Sequence, residues 1–365
     1  MFSFHTKRLI YKAKEFFFFF NYERLIKEKS QKFNIGISIL KAILAFNVIL
    51  SHNYDRNLIN NKFSFFLFKS RRIHVPSFFI ISFYFTNNEL IRLDYNKIKR
   101  RFERLLIPYL FWPIIIWSIN KMLKIANVID IPTTLKDLKD QLLWGHNFVV
   151  QFWFQWNLIL ITLLYIFIIF LFKNNFLLIL QLLAIFSYAL QYSEYNKQFY
   201  NFLALENRES LGRLAEMIPY SVTGFSLASY EILIKLQKYK FKTIFFSLIV
   251  FCFIEKYEIF SVLNGVAYSG IKLNVHSISI IFLFFSFPME KITNIYINKL
   301  LFCISSYTAG IFYLHWTVIN YLKPFIIYIK NGELFGCIIV YLVCYIICHI
   351  GTKIFKNTKF KYLFN

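Results

Sequence analysis

The chain has 365 residues, of which 58% are hydrophobic and 17% charged, and its mean hydropathy is +0.50. A soluble domain of this length could not cover so much apolar surface, so the composition excludes a soluble globular protein and indicates a membrane protein. The net charge of +23 comes from 42 Lys and Arg that are scattered between apolar segments. Because that scatter fits membrane loops better than a basic groove, we expect no nucleic-acid partner.

The chain opens with a basic segment, residues 1–34, which we expect on the cytoplasmic side. Its apolar run, Phe16–Phe20, is too short for a signal-peptide core, and we expect no cleavage. The stretch Lys7–Lys32 has two interpretations: a basic, aromatic amphipathic segment on the inner membrane surface, or a mobile basic tail.

Apolar runs of about twenty residues, the length needed to cross a bilayer, follow along the rest of the chain. We predict ten transmembrane helices, give or take one, at 35–52, 74–90, 104–120, 154–172, 175–192, 211–230, 241–255, 273–289, 299–321 and 334–352. The apolar stretch near 259–271 contains Asn264 and two glycines, and we interpret it as a re-entrant or interfacial loop. The predicted fold class is all-α, a polytopic integral membrane protein with a transmembrane domain over 35–352 and a cytoplasmic basic tail over 353–365.

The distribution of basic residues gives these spans a direction. With the N-terminus inside, the inner segments hold 25 Lys and Arg and the outer segments hold 16, while Lys41 lies within a span. Since positive charge accumulates on the cytoplasmic side, we predict that both ends of the chain are inside.

The five cysteines lie mostly inside apolar runs and form no CxxC pair. We therefore predict neither a disulfide framework nor a metal site.

Two ionisable residues lie in the first predicted span, Lys41 and His52. Such residues cost about 2.5–3.5 kcal/mol on insertion scales and are functional candidates by default. Eleven helical steps return to nearly the same face, about 16 Å further along the axis. Lys41 would then lie towards the cytoplasm and His52 near the outer end. The alternatives are a snorkelling lysine and an interfacial histidine.

His315 should also reach the outer half of the membrane, together with His52. His74 and Trp153 open two further spans from the outer side. Asp55 follows His52 by three residues and either tunes that histidine or is a solvated loop acid.

Three arginines, Arg100, Arg101 and Arg104, lie at the inner start of the third span, just before Pro108. They could hold a phosphorylated ligand, such as a nucleotide-bearing thioester, by charge-assisted hydrogen bonds. The alternative is anchoring to the inner membrane surface.

These residues together resemble the acyltransferase 3 family of bacterial membrane proteins, which acylate polysaccharides and other surface glycans. The first span matches the family pattern of a basic residue, ten others and a histidine, with Lys41 where the family usually has arginine. In the second span Pro76 and Ser82 match the family's "PxFFxxSG" element, but Phe83 replaces its glycine.

The later motifs occur in the family's order. Lys99–Tyr109 resembles its arginine-rich start of the third span, and Phe152–Phe154 matches a Trp-Phe pair. Ser305–His315 is close to its late serine-tyrosine signature, which includes Tyr313.

The resemblance implies an O-acyltransferase that moves an acyl group, acetyl first of all, from cytoplasmic acyl-CoA to a glycan or lipid-linked sugar. It also implies a multi-pass location in the bacterial inner (plasma) membrane. His52 and His315 are the catalytic candidates; Lys41, Arg101 and Arg104 the donor-binding candidates; and His74, Trp153 and Tyr313 the acceptor-site candidates. The rival functions are a transporter or flippase for polysaccharide intermediates and a non-catalytic scaffold. The acyl group, the acceptor and the oligomeric state stay open.

Overall fold

A computed structural model describes residues 34–53, 71–125, 134–145, 148–149, 151–192, 209–256, 270–286 and 304–364. The regular structure in these ranges is helical throughout. The longer helices are α1 (Ile35–Asn53), α2 (His74–Ile91), α3 (Tyr95–Ile125), α4 (Leu135–Trp144), α5 (Phe152–Phe172), α6 (Phe176–Tyr192), α7 (Glu209–Ser229), α8 (Lys240–Lys256), α9 (Ile271–Ser286), α10 (Thr308–Leu322) and α11 (Leu334–Ile354). Short helical turns lie at 71–73, 232–239, 304–306, 327–330 and 359–363.

The helices bear out the predicted fold class, an all-α membrane protein. Each of the ten predicted spans overlaps one long helix, and α4 is the additional one. Among the described residues, four helices are long and apolar enough to cross a membrane: α1, most of α3, α5 and α11. α6 and α9 are apolar but shorter.

α3 is longer than the sequence predicted, because it starts at Tyr95 rather than near residue 104. The Asp94 carboxylate accepts a hydrogen bond from the Lys97 backbone N–H at 3.2 Å and so satisfies a free donor at the helix start. Pro108 and Pro113 lie inside the helix. The early start places the arginines one to three turns inside a continuous helix.

Large apolar side chains cover the outside of the helix assembly. Exposed phenylalanines and aliphatic residues lie on α5, α8 and α11: Leu163, Phe167, Phe170, Phe241, Phe245, Phe246, Leu342, Ile346 and Ile350. Such a surface is stable in contact with lipid and unfavourable in water.

The relative directions of three helices agree with the predicted order of crossings. α1 and α10 run side by side in the same direction, since Lys41 and Ala309 line one cavity and His52 lies beside His315 further along both helices. α11 runs the opposite way, with Asn53 Nδ2 3.6 Å from Cys337 Sγ. The location of both chain ends on the cytoplasmic side stays a prediction.

α2 and α7 make a close contact through a glycine of α7. A Cβ on Gly224 would lie 2.8 Å from Cα of Ile80, so only glycine lets the two backbones approach this far. Asn87 Nδ2 joins the same helices by donating to Phe225 O at 3.0 Å and Ser229 Oγ at 2.8 Å. The family's glycine at position 83 is therefore not needed for close packing here.

Three expectations fall outside the described residues: the basic segment Lys7–Lys32, nearly all of the loop near 259–271, and Asp55.

Candidate active site

A cavity of about 670 Å³ lies among α1, α2, α3, α5 and α10. Its volume falls in the range of about 300–1,000 Å³ that is typical of small-molecule sites. Among the described residues that line it, the basic ones are Lys41, Arg101, Arg104 and Lys361, and the acidic one is Glu89. The cavity therefore brings the three predicted donor-binding residues together and carries an excess of positive charge.

Arg101 is the most firmly held of these cations. Its side chain is buried, with Nε donating to Thr162 Oγ1 at 3.1 Å and Nη2 donating to Ser82 Oγ at 3.3 Å. The guanidinium carbon lies 5.1 Å from the ring centroid of Phe83. Hydroxyl acceptors and an aromatic face together compensate for the loss of hydration of the buried guanidinium.

Arg104 and Lys41 are more accessible to a ligand. Arg104 is exposed, and its Nε donates to the Arg100 backbone carbonyl at 3.3 Å. Lys41 is half-buried and lines the cavity from α1. Both cations are thus more open to an anion than Arg101, which is held by two hydrogen bonds to other helices.

Three phenylalanines form an aromatic floor to the cavity: Phe78, Phe154 and Phe312. Their ring centroids are 4.8 to 6.3 Å apart in tilted and edge-to-face geometries. Such pairs pack tightly and exclude water. The cationic part of the cavity is thus bounded by an apolar surface.

His52 and His315 lie together beyond this aromatic floor. Their ring centroids are 5.2 Å apart, and His52 also contacts the ring of Trp316 edge-on at 5.2 Å. His315 is fully buried, and its ring lies 5.8 Å from that of Phe312. Phe312 therefore lines the cavity and also contacts His315, one member of the histidine pair.

The hydrogen bond of His315 defines its tautomer. Nδ1 lies 2.7 Å from the Phe312 carbonyl oxygen, which can only accept, so Nδ1 carries the proton. In the neutral ring Nε2 is then unprotonated, and this buried atom has no hydrogen-bond partner among the described residues. A fixed imidazole with a free Nε2 can accept a proton or a hydrogen bond.

The acceptor-site candidates lie in three different places. His74 is buried at the start of α2. Trp153 is buried at the start of α5, with the Arg213 guanidinium 4.4 Å from its ring centroid. Tyr313 lines the cationic cavity and stacks on Phe152 at 5.7 Å, so it lies with the donor-binding candidates.

Sequence reasoning missed several residues of the site. Thr162 holds Arg101, and a hydroxyl within the apolar α5 could have marked it. Ser82 belongs to the matched family element, but its contact with Arg101 was not foreseen. Lys361 and Tyr362 line the cavity although they lie in the predicted cytoplasmic tail. Only folding of that tail brings them to the site.

Among the described residues, no group of three or more His, Cys, Asp and Glu side chains could hold a metal ion. The three described cysteines of α11, Cys337, Cys344 and Cys348, are free and buried in helix packing.

Comparison with curated proteins and with solved structures gave no match. A family model described as an acyltransferase domain matches residues 34–350, most of the chain. The matched region contains every predicted catalytic, donor-binding and acceptor-site residue, from Lys41 to His315. The chain is therefore a membrane acyltransferase and belongs to the acyltransferase 3 family.

Proposed function

We propose that this acyltransferase moves an acyl group, acetyl first of all, from cytoplasmic acyl-CoA to a hydroxyl of a cell-surface polysaccharide or lipid-linked sugar. The observation that carries the proposal is the arrangement along α1. Lys41 lines the cationic cavity, and His52 contacts His315 beyond the aromatic floor. α1 thus connects the cationic cavity, where an anion would bind, with the histidine pair, where a proton would be transferred.

The cationic cavity suits the phosphorylated end of the donor. Arg101 is fixed for a charge-assisted contact, while Arg104 and Lys41 can adjust to the phosphate groups. The pantetheine arm of the donor is long and uncharged, so it can extend along the aromatic floor. The thioester would then approach the histidine pair near Phe312.

The proposed reaction is attack of the acceptor hydroxyl oxygen on the thioester carbonyl carbon. A histidine accepts the hydroxyl proton as the C–O bond forms, the C–S bond breaks, and the proton passes to the leaving thiolate. His52 is the proposed base, or the residue that carries the acyl group in transit. His315 orients or assists it.

The test replaces His52 by alanine and measures both acylation and export of the cell's glycans by mass spectrometry. Ser51→Ala is the matched control, because within the described part of the chain the Ser51 hydroxyl donates to the Val48 carbonyl of its own helix, at 2.7 Å. We expect His52→Ala to abolish acylation while glycan export continues, and Ser51→Ala to behave as the wild type.

The other outcomes distinguish the rival functions. Loss of glycan export in His52→Ala would contradict the acyltransferase proposal in favour of a transporter or flippase. Unchanged acylation and export would indicate a scaffold in which His52 is dispensable.

A further inference from the structure

The C-terminal segment, residues 359–364, folds back along α3. Lys359 Nζ contacts Glu103 Oε1 at 2.6 Å, and Trp112 Nε1 donates to the Leu363 carbonyl at 2.9 Å. Phe360 packs edge-on against Phe111 at 5.1 Å. The segment thus runs along α3 for about two turns, in the same direction as α3 and away from its arginine-rich start.

Phe364 anchors this segment between two helices. A Cβ on Gly310 of α10 would lie 2.5 Å from the Phe364 carbonyl oxygen, and one on Gly351 of α11 would lie 2.5 Å from its ring. The ring also stacks on Phe355 at 5.8 Å and meets Trp112 edge-on at 5.7 Å. These two glycines leave the space that Phe364 occupies.

The anchored segment presents two side chains to the cationic cavity, Lys361 and Tyr362. Both are half-buried, and Lys361 Nζ lies 5.5 Å from the centroid of the Tyr362 ring. Lys361 therefore joins Lys41, Arg101 and Arg104 at the same site, and it comes from the far end of the sequence.

We propose that the C-terminal segment is part of the donor site, with Lys361 binding a phosphate of the acyl-CoA and Phe364 as a positioning residue that holds Lys361 there. The proposal builds on the proposed function. The four cations and one acidic residue of the cavity suit a ligand with several phosphates. Hydrogen bonds from cationic side chains to phosphate oxygens are shorter and stronger than those between neutral groups.

The test measures binding of acetyl-CoA to the full-length protein in detergent by isothermal titration, at two salt concentrations. Lys361→Ala is compared with Lys356→Ala, since Lys356 is an exposed lysine of the same terminus that does not line the cavity. We expect Lys361→Ala to weaken binding about tenfold and to reduce its salt dependence, as expected for the loss of one charged contact. Lys356→Ala should bind as the wild type does.

Phe364→Ala tests the anchor without changing a cavity residue. We expect it to weaken binding to about the same degree as Lys361→Ala, and the double variant to be no weaker than either, because both act through one contact. Thermal unfolding of each variant checks that the helices remain folded.

Two results would overturn the proposal, and they differ. If the wild type binds acetyl-CoA and Lys361→Ala binds equally well, the segment is not part of the donor site while the proposed function stands. If the wild type itself does not bind acetyl-CoA, the donor assignment fails as well.

Discussion

The guanidinium of Arg101 lies over the ring of Phe83, 5.1 Å from its centroid. Phe83 occupies the position where the family usually has glycine. Phe83 is fully buried and also packs against Tyr165 at 4.8 Å. The departure from the family pattern thus supplies an aromatic surface for a buried cation. Close packing of α2, in turn, is provided by Gly224 on the opposing helix.

We predict that Phe83→Leu weakens donor binding several-fold and leaves the fold intact. Leucine keeps an apolar side chain but removes the aromatic face, whose attraction for a desolvated cation is about 2 kcal/mol. The measurement is the affinity for acetyl-CoA. Phe79→Leu is the control, because Phe79 is equally buried on α2 and packs against Phe154 at 4.8 Å. Equal effects of the two changes would contradict a role for the Phe83 ring.

Lys41 is expected to act through its charge. Lys41→Met keeps the length of the side chain without the charge, and we predict about a tenfold loss of affinity for acetyl-CoA. Lys41→Arg restores the family's usual residue and should bind at least as tightly as the wild type, since a guanidinium can contact a phosphate with two N–H groups. Equal affinities of all three proteins would exclude Lys41 from the donor site.

His315 is predicted to act in catalysis through Nε2. A substitution can separate this role from the structural hydrogen bond that Nδ1 makes. An asparagine side chain can imitate the Nδ1 donor to the Phe312 carbonyl but has no atom in place of Nε2. We therefore expect His315→Asn to fold and bind donor normally while acyl transfer falls about 10²-fold or more. Rates of acetyl transfer and donor affinity are measured on the same preparation. Full activity in His315→Asn would reduce His315 to a structural residue.

Gly224→Ala should destabilise the contact between α2 and α7. The added methyl group would lie 2.8 Å from Cα of Ile80, and forcing a tight interface apart costs about 1–3 kcal/mol. Thermal unfolding in detergent should show a lower midpoint than that of the wild type. Ser226→Ala, a half-buried position on the same helix, should unfold like the wild type.

The sequence alone predicted the helices well because crossing a bilayer demands about twenty apolar residues, and α1, α5 and α11 have them. It also predicted that Lys41 and His52 share a helix and lie at two levels, since helical periodicity determines that relationship. The start of α3 at Tyr95 was missed, because its first turns are polar and a hydropathy window overlooks them.

The partners of the site residues could not be predicted in the same way. Arg101 and Thr162 are 61 positions apart, and Trp112 and Leu363 are 251 positions apart. Such pairs depend on how the helices pack, which no local pattern encodes. In the sequence, the terminal lysines are indistinguishable from those of a solvated basic tail, so no local pattern marked Lys361 as a residue of the site.

On the proposed function, the aromatic floor separates the two ends of the donor by their solubility. Phe78, Phe154 and Phe312 line the cavity and contact one another, and the ring of His315 lies 5.8 Å from that of Phe312. An acyl chain is soluble in such a layer, whereas hydrated ions and nucleotides are not. On the proposed function, the acyl group would reach the histidines along an apolar surface, while the charged nucleotide end of the donor stays with the cations of the cavity.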